Sequence, residues 1–588
     1  MCAVLFAALA CLATASAQIN RNAAAPKIHP GDDRVRTADA GYVGSEVCAE
    51  CHRGIFNSYL RTDMGRSMTV VDASFLAKFP LTASVVNAQQ NRHFEVYARD
   101  GKLYQSESAA GSNGQEVFRN AQQIEYIMGT GENGLGGIVR QGDYLFEAPL
   151  TYYARINGWD LSPGYQYGDY GFSRPILPGC VGCHSGRPQP ILDGNGRFGE
   201  PPFNELAVGC ENCHGPGRDH VQEQQRGSNA GGAIVNPAKL SPWLADNICM
   251  ACHQTGDARV LHPGKNYGDI RAGEPLENAR SIFMVPFDRS SPPQDDLLEH
   301  YLSMVLSKCY RSSGGRMSCI TCHDPHVQPT KQEAPAYYET TCLTCHTLTS
   351  CTASPEARKA TTPPDNCIGC HMPKRDLRVI SHSALTNHRI VATVDEPFPD
   401  AAFQMTTPAL PDLVHLSAAP SDDTAPPPLV LLDAYQQVLP KFPEYRARYW
   451  ALAKQLESTD PKNISVLEAL ADSSMHQGDD QGTTDAIHDL DLARSLGSRV
   501  PADYEQLAAL LIATGRRPEA VKVLRQGIDL IPGDNQLYRM LASTYLFLGD
   551  KQSGCELLGT AIGRFPQDDD FRSQLSHCEA AHAARSTP

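Results

Sequence analysis

The chain has 588 residues, a formal net charge of −15, and 20 cysteines beside 20 histidines. A single compact domain is not expected at this length, whereas two or three domains are. The acidic balance argues against nucleic acid as a partner, because binding phosphate needs a basic surface. It favours partner proteins with basic patches, although an acidic surface that serves only solubility explains the charge equally well.

The amino terminus is typical of an exported protein. Residues 1–17 are apolar and uncharged and end in the small-residue string ASA, which predicts a secretory signal with Gln18 as the mature start. Lipidation at Cys11 is an alternative. Residues 18–43 are polar, so a flexible mature N-terminus is expected. Beyond the signal no stretch of 18 apolar residues occurs, so no transmembrane helix is predicted.

The pattern Cys-x-x-Cys-His occurs seven times between residues 48 and 371. The paired cysteines are Cys48 and Cys51, Cys180 and Cys183, Cys210 and Cys213, Cys249 and Cys252, Cys319 and Cys322, Cys342 and Cys345, and Cys367 and Cys370. The histidines that follow them are His52, His184, His214, His253, His323, His346 and His371. We number the motifs one to seven in chain order.

This pattern is the attachment signature of c-type haem. Two thiols at positions i and i+3 lie on one side of a helical turn and can bond to the two vinyl groups of one porphyrin. The next residue then offers its imidazole to the iron as the proximal ligand. A disulfide framework needs no histidine after every second cysteine, and a zinc knuckle needs no adjacent histidine. Seven covalently bound haems are therefore predicted, which agrees with export because this attachment happens outside the bacterial cytoplasm.

Six cysteines lie outside the motifs. Cys2 and Cys11 belong to the predicted signal. The other four could form two disulfides in an oxidising compartment. The simplest pairing by proximity joins Cys309 to Cys351 and Cys555 to Cys578.

A long interval separates the first two motifs, and its sequence is typical of strands. Alternating apolar and polar residues flank a turn at residues 99–101 and another at residues 141–143. A glycine-rich bend at 129–137 separates the two stretches. We therefore predict a β-rich insertion over residues 85–155.

From Cys180 to His388 the sequence is rich in Pro and Gly and has few long periodic segments. Much of the core there would be porphyrin, so the apoprotein should not fold. The prediction for residues 44–400 is a haem-packed, mostly α-helical and irregular cytochrome c domain that contains the β-rich insertion. Residues 401–428 are rich in Pro and Ala, most clearly from residue 406, and indicate a linker.

Beyond the linker a 34-residue period appears. Four residues recur at that offset: Tyr504, Ala508, Gly515 and Pro532 return as Tyr538, Ala542, Gly549 and Pro566. Small residues where helices cross, with Pro after the second helix, are typical of tetratricopeptide repeats. An upstream unit precedes these by 37 residues, and a helical pair is predicted over 429–460. Residues 429–588 are thus predicted to form an all-α solenoid of three to four repeats, right-handed and concave, that binds protein, binds a second copy, or serves as a spacer.

The sixth ligand of each iron decides between electron transfer and catalysis. Eight further histidines lie between residues 18 and 400, which fits mostly bis-histidine haems. His382 and His388 are favoured by their place after the last motif, and His300 and His262 serve either as ligands or in the core. The set is completed by two strong candidates, His220 and His326, and two weak ones, His29 and His93.

Two of these candidates are constrained by their position. His326 lies three residues after the proximal His323, and His220 lies six after His214. Neither can reach the opposite face of its own haem, so each would have to bind the iron of a neighbouring haem. Ligation of this kind holds adjacent porphyrins at a fixed short separation, as electron hopping requires.

The first motif has no spare histidine close behind it. Met64 and Met68 follow it by a short helix. Methionine is an alternative sixth ligand that raises the reduction potential. We therefore predict a His/Met first haem that uses Met64 or Met68, with plain core packing as the alternative.

Three strings carry a family resemblance: GCENCHGPGRDH (209–220), SCITCHDPH (318–326) and CIGCHMPK (367–374). Over residues 44–390 the chain resembles the multihaem cytochrome c superfamily, which includes the tetrahaem cytochrome of ammonia oxidisers, hydroxylamine oxidoreductase and the multihaem nitrite reductases. The resemblance implies haems in alternating parallel and perpendicular pairs. It also implies His214, His323 and His371 as proximal ligands, with His220 and His326 as distal ones.

The chain departs from the enzymes of this superfamily. The Cys-x-x-Cys-Lys motif typical of pentahaem nitrite reductases is absent from the sequence. An exported protein, periplasmic or at the cell surface, that conducts electrons to redox partners is therefore placed first, with no catalytic residue assigned. The alternatives are an oxidoreductase acting on small nitrogen or sulfur species at one open haem, and the subunit of a conductive filament.

Overall fold

The computed structural model describes residues 41–191, 195–227, 232–290, 298–374, 386–393, 395–403, 410–420 and 424–583. The predicted signal, His29 and His382 lie outside the described residues. None of the helices in the described ranges is long and apolar enough to cross a membrane.

An eight-stranded antiparallel sheet follows the first motif. Strands β2 to β8 pair in sequence order, and β1 pairs with β5. The sheet occupies the interval of the predicted β-rich insertion and extends beyond it on both sides. Its strands are β1 Met68–Val70, β2 Ala83–Asn87, β3 Arg92–Arg99, β4 Lys102–Ala110, β5 Glu116–Met128, β6 Gly134–Gln141, β7 Tyr144–Tyr153 and β8 Gly158–Leu161.

Local sequence explains this sheet. The turn between β3 and β4 has φ values of 52° at Asp100 and 72° at Gly101, as a two-residue hairpin of type I′ requires. Along β3, inward residues such as Phe94 and Val96 alternate with more exposed ones. The side chains that the sheet buries form a core of its own.

The remaining motifs lie in a region of short helices, which we call the motif region (residues 178–403). Its helices that carry motifs are α3 Pro178–His184, α4 Cys210–His214, α6 Pro242–His253, α9 Cys319–Cys322, α10 Ala334–Cys342 and α12 Cys367–His371, and the first motif lies on α1 Ser45–Tyr59. The other helices up to this point are α2 Ala73–Leu76, α5 Arg218–Gln225, α7 His300–Val305, α8 Lys308–Ser312 and α11 Pro355–Lys359. Two small sheets complete it: β9 Arg187–Pro190 with β10 Phe198–Glu205, and β11 Ala258–Leu261, β12 Arg280–Met284 and β13 Val414–His415 in that order.

The segment predicted as a linker is docked where the structure describes it. Val414 and His415 form β13 and pair with β12. The carbonyl of Pro411 accepts a hydrogen bond from the Tyr445 hydroxyl at 2.8 Å, and Asp412 accepts one from the Tyr435 hydroxyl at 2.7 Å. These contacts attach the motif region to the helices that follow.

The carboxyl-terminal part is a helical repeat region. Helices α17 and α19 begin at Pro501 and Asn535, and α18 and α20 begin at Arg517 and Lys551, so both offsets are 34. The offset from α15 to α17 is 37, as the sequence predicted. The helices are α13 Pro428–Val438, α14 Arg446–Leu456, α15 Ile464–Gln477, α16 Asp480–Ser495, α17 Pro501–Ala513, α18 Arg517–Leu530, α19 Asn535–Phe547, α20 Lys551–Arg564 and α21 Asp569–Ala583.

One of the two suggested disulfides forms. Cys555 and Cys578 are bonded, with their Cα atoms 6.0 Å apart, and the bond joins α20 to α21. The suggested bond between Cys309 and Cys351 is wrong, because both thiols are free. Cys309 is half-buried and faces cysteines of the fifth and sixth motifs, whereas Cys351 is exposed and interacts with Arg358.

Candidate functional site

A continuous cavity of about 2050 Å³ runs through the motif region. Pockets for small molecules usually measure about 300–1,000 Å³, so this one is roughly twice their upper limit. Cysteines of five different motifs line it: Cys183, Cys213, Cys249, Cys252, Cys319, Cys322 and Cys342. The cavity therefore follows the motifs through the region in which few side chains form a core.

The donor set fits haem iron and does not fit a bare metal ion. Within the described residues no group of three or more His, Cys, Asp or Glu side chains converges to hold a metal. Porphyrin nitrogens provide four ligands to haem iron, so the protein has to provide only one or two. The thiol pairs and the imidazoles of the motifs match that requirement.

Two proximal imidazoles are oriented by backbone carbonyls. The Nδ1–H of His214 donates to the Val235 carbonyl at 2.8 Å, and that of His371 donates to the Val391 carbonyl at 2.6 Å. A carbonyl can only accept, so Nδ1 carries the proton and the lone pair of Nε2 remains available to a metal. Neither carbonyl has a sequence signature, so sequence reasoning missed these orienting groups.

Desolvation favours the neutral form of three motif imidazoles. Desolvation lowers the pKa of His214, His253 and His323 below the ordinary value. The neutral imidazole is the form that binds a metal. The hydroxyl of Tyr338 lies 3.2 Å from Nδ1 of His323. It is a further group that orients a motif imidazole, and no sequence motif predicted it.

Two motif histidines each lie beside a candidate sixth-ligand histidine from another part of the chain. Two imidazoles on opposite sides of one metal have ring centres about 6 Å apart, given metal–nitrogen bonds of about 2.0 Å. The ring centres of His52 and His220 are 6.5 Å apart, with 19° between their planes. Those of His214 and His326 are 5.9 Å apart, also with 19°. The structure thus places His220 and His326 beside other motifs, as the sequence argument required, and their coordination stays a prediction.

A second set of four imidazoles forms a row. His323 and His388 have ring centres 6.2 Å apart, which again suits a shared metal. His253 and His300 are closer, at 5.1 Å and 67°, and His300 lies 4.8 Å from His388. The structure therefore places two candidate ligands beside motif histidines. His300 lies beside the fourth motif, and His388 lies beside the fifth.

Two other candidates, His262 and His93, lie elsewhere. Nε2 of His262 is 2.8 Å from the Ser281 hydroxyl, so this nitrogen already has a hydrogen-bond partner. His93 contacts Ser84 within the large sheet. His382 is outside the described residues.

The methionine segment lies beside the second motif. The hydroxyl of Ser67 donates to the His184 carbonyl at 2.9 Å, Met64 lines the cavity, and Met68 is buried against Val181. The ring of His220 lies beside that of His52, and ligation of the first haem by Met64 or Met68 stays a prediction.

Thiols of different motifs meet at three places: Cys48 with Cys210, Cys183 with Cys252, and Cys249 with Cys319. The hydrogen bond to Cys210 and burial raise the pKa of Cys48, whereas the same hydrogen bond lowers the pKa of Cys210 to about 7. Electrostatic interactions further join Cys213 to Cys249, Cys322 to Cys345, and Cys342 to Cys367. All seven motifs are therefore linked to at least one neighbour.

Two motifs differ from the other five in exposure, because in each of them both a cysteine and the motif histidine are exposed. Cys51 and His52 of the first motif are exposed, and so are Cys345 and His346 of the sixth. Val181 in the second motif is fully buried. The first and sixth motifs thus reach the surface, and the second does not.

Comparisons with known proteins concern the repeat region. No family model and no curated protein matches the chain. Solved structures that resemble it include MamA (18% identity, 25% of this chain and 85% of that chain, TM-score 0.23) and TTC0263, a thermophilic TPR protein in Thermus thermophilus (16%, 26% and 91%, 0.20). A third is YrrB, a TPR protein with an unusual peptide-binding site (12%, 26% and 77%, 0.23). The repeat assignment rests on the helix offsets of 34 residues and not on these scores.

Proposed function

We propose that this chain is an exported c-type cytochrome that conducts electrons through seven covalently bound haems. The observation that carries the proposal is the cavity of about 2050 Å³ whose wall is lined by cysteines of five attachment motifs. Haem, once bound, supplies one-electron redox chemistry, and the protein supplies attachment, ligation and spacing.

The ligand assignment follows from the imidazole pairs. His52 with His220, His214 with His326, and His323 with His388 have the separations that two axial ligands of one iron require. His253 with His300, whose ring centres are 5.1 Å apart, is the fourth pair. His184, His346 and His371 are assigned as proximal ligands by their motifs alone.

The thiol contacts support an order for electron movement. The first motif contacts the third, and the third interacts with the fourth. The fourth contacts the fifth, which leads through the sixth to the seventh. The second motif contacts the fourth and forms a side branch. A main line of six haems with one branch would keep every neighbour within hopping distance.

The exposure of two motifs supports them as the places where electrons would enter and leave the protein. The first motif is exposed at Cys51 and His52, and the sixth at Leu343, Cys345 and His346. Electrons would enter at one of these surfaces and leave at the other. The helical repeats would provide a docking surface for a redox partner or a second copy, and the net charge of −15 would steer partners with basic patches towards it.

Mass spectrometry of the protein produced with haem-attachment machinery tests the proposal. We expect seven haems per chain, and six for the variant Cys48→Ala/Cys51→Ala. Cys309→Ala is the matched control, because this half-buried cysteine lies among motif cysteines but outside any motif. A mass equal to the bare polypeptide, or a haem lost in the control, would contradict the proposal.

A further inference from the structure

Arg280 is a charged side chain enclosed in the motif region. It opens β12 and is 0% exposed. Its Nη2 donates to the Ala251 carbonyl, and its guanidinium lies over the Tyr267 ring at 5.7 Å. Within the described part of the chain, Nε and Nη1 have no hydrogen-bond partner.

Among the residues that the structure describes, Arg280 forms no ion pair with an acidic side chain. A guanidinium stays protonated in proteins, and a buried charge without an opposite charge is among the most costly features of an interior. Among the groups that act on Arg280 electrostatically, the cation Arg259 lowers its pKa, whereas Cys183, Tyr267 and Cys252 raise it. Burial and Arg259 lower the pKa of Arg280, so an anion in this place would relieve both effects.

The guanidinium lies where two motifs meet. Ala251, which accepts its hydrogen bond, lies between Cys249 and Cys252 of the fourth motif. The thiol of Cys183 in the second motif is 3.7 Å from the same carbonyl. Arg280, Cys183 and Cys252 all line the cavity. A carboxylate carried by a group attached at either cysteine would be within reach.

We propose that Arg280 binds the propionate carboxylate of the haem attached at Cys183 or at Cys252. The inference rests on the proposed function, since it requires haem in the cavity. Nε and Nη1 donate to the propionate, whose negative charge is the counter-charge that the polypeptide does not provide. A fixed cation favours the reduced haem, which carries one negative charge more than the oxidised form. Arg280 therefore raises the reduction potential at the junction between the side branch and the main line.

Redox titration of the haem-loaded protein tests this role in two variants. In Arg280→Gln we expect one of the seven potentials to fall, by roughly tenfold in the one-electron equilibrium, which corresponds to about 59 mV. Arg280→Lys keeps the charge but loses the planar fork, so a smaller fall is expected. Arg66→Gln is the control, because Arg66 borders the same cavity while its side chain is 48% exposed and pairs with Asp63. Its seven potentials should match those of the unmodified protein.

The outcomes separate this inference from the proposed function. A chain without haem refutes the proposed function, whereas seven haems with unchanged potentials in both variants refute only the role of Arg280. If the potential responds to added sulfate or nitrite in the unmodified protein but not in Arg280→Gln, the partner is a free anion and the propionate assignment is wrong.

A structure of the haem-loaded protein decides the case if Arg280→Gln fails to fold. We expect a propionate oxygen within about 2.7–3.2 Å of Nε or Nη1. Its absence there overturns the inference.

Discussion

The repeat region and the motif region differ in how their interiors are filled. One repeat cluster alone buries fifteen apolar residues among those described, including Tyr504, Leu507 and Leu541. The cluster centred on Met250 and Ile282 in the motif region has five, and a cavity of about 2050 Å³ lies beside it. Side chains fill the repeats, whereas a large cavity lies among the motif residues.

Withholding haem should produce the largest effect and test this contrast directly. Without porphyrin the cavity cannot stay dry and packed, so the motif region should lose its structure while the later repeats keep theirs. Hydrogen exchange read by mass spectrometry should show fast exchange over 178–390 and slow exchange over 464–578. Helix α13 should be intermediate, since Val430 packs on Val260 and Phe283. Equal protection of both regions would contradict the contrast.

The next largest effect concerns the continuity of the motif series. Removing the fourth haem with Cys249→Ala/Cys252→Ala should separate the first and third motifs from the fifth to seventh. Stopped-flow reduction should then show two populations of haem, one fast and one slow. The matched variant Cys48→Ala/Cys51→Ala removes a terminal haem and should leave one fast population. A single fast phase in both variants would refute the order drawn from the thiol contacts.

Sequence patterns predicted the parts of the fold that short-range chemistry determines. The 34-residue offset, the hairpin turn at Asp100 and Gly101, and the disulfide from Cys555 to Cys578 depend on residues close in sequence, and all three are present. The candidate site was harder, because its geometry depends on contacts between distant motifs. Proximity in sequence favoured Met64 or Met68 for the first haem, whereas no local pattern indicated that His220 would lie beside His52, 168 positions away.

Arg280 is a second residue whose surroundings depend on contacts between distant parts of the chain. In the sequence it is an ordinary cation before a short apolar strand, and nothing local predicts its burial. Only the fold reveals that Ala251 and Tyr267 enclose it. A pattern can therefore locate the atoms that attach a cofactor, but not the long-range contacts that adjust its environment.

A core substitution in the repeats should affect stability without affecting haem. Tyr504 is 0% exposed, packs on Gly527, and donates to the Ser498 carbonyl at 2.8 Å. Tyr504→Ala should cost about 3–5 kcal/mol of unfolding free energy, as truncation of a buried aromatic usually does. Thermal unfolding followed by circular dichroism measures the loss, and the haem count should remain seven. Phe547→Ala is the control, because that ring is 70% exposed and its loss should cost less than about 0.5 kcal/mol.

The smallest effect concerns a carboxyl pair within the repeats. Burial and the neighbouring Asp534 raise the pKa of Glu505 from 4.5 to about 8. Asp534 meanwhile accepts hydrogen bonds from the backbone N–H groups of Gln536 and Leu537 at the start of α19. The folded chain thus holds a proton on Glu505 that the unfolded chain releases near pH 4.5. Its stabilising contribution is complete below that pH and is lost as the pH rises through about 8.

Glu505→Gln should remove this pH dependence, because the amide is neutral and can still donate to Asp534. Between about pH 5 and pH 9 the unmodified repeats should therefore lose unfolding free energy relative to the variant. Urea unfolding at the two pH values, followed by circular dichroism, measures the difference. A parallel decline in both proteins would assign the pH dependence to other groups. Because the repeats are filled by side chains alone, this proton should report on their stability without any change in haem content.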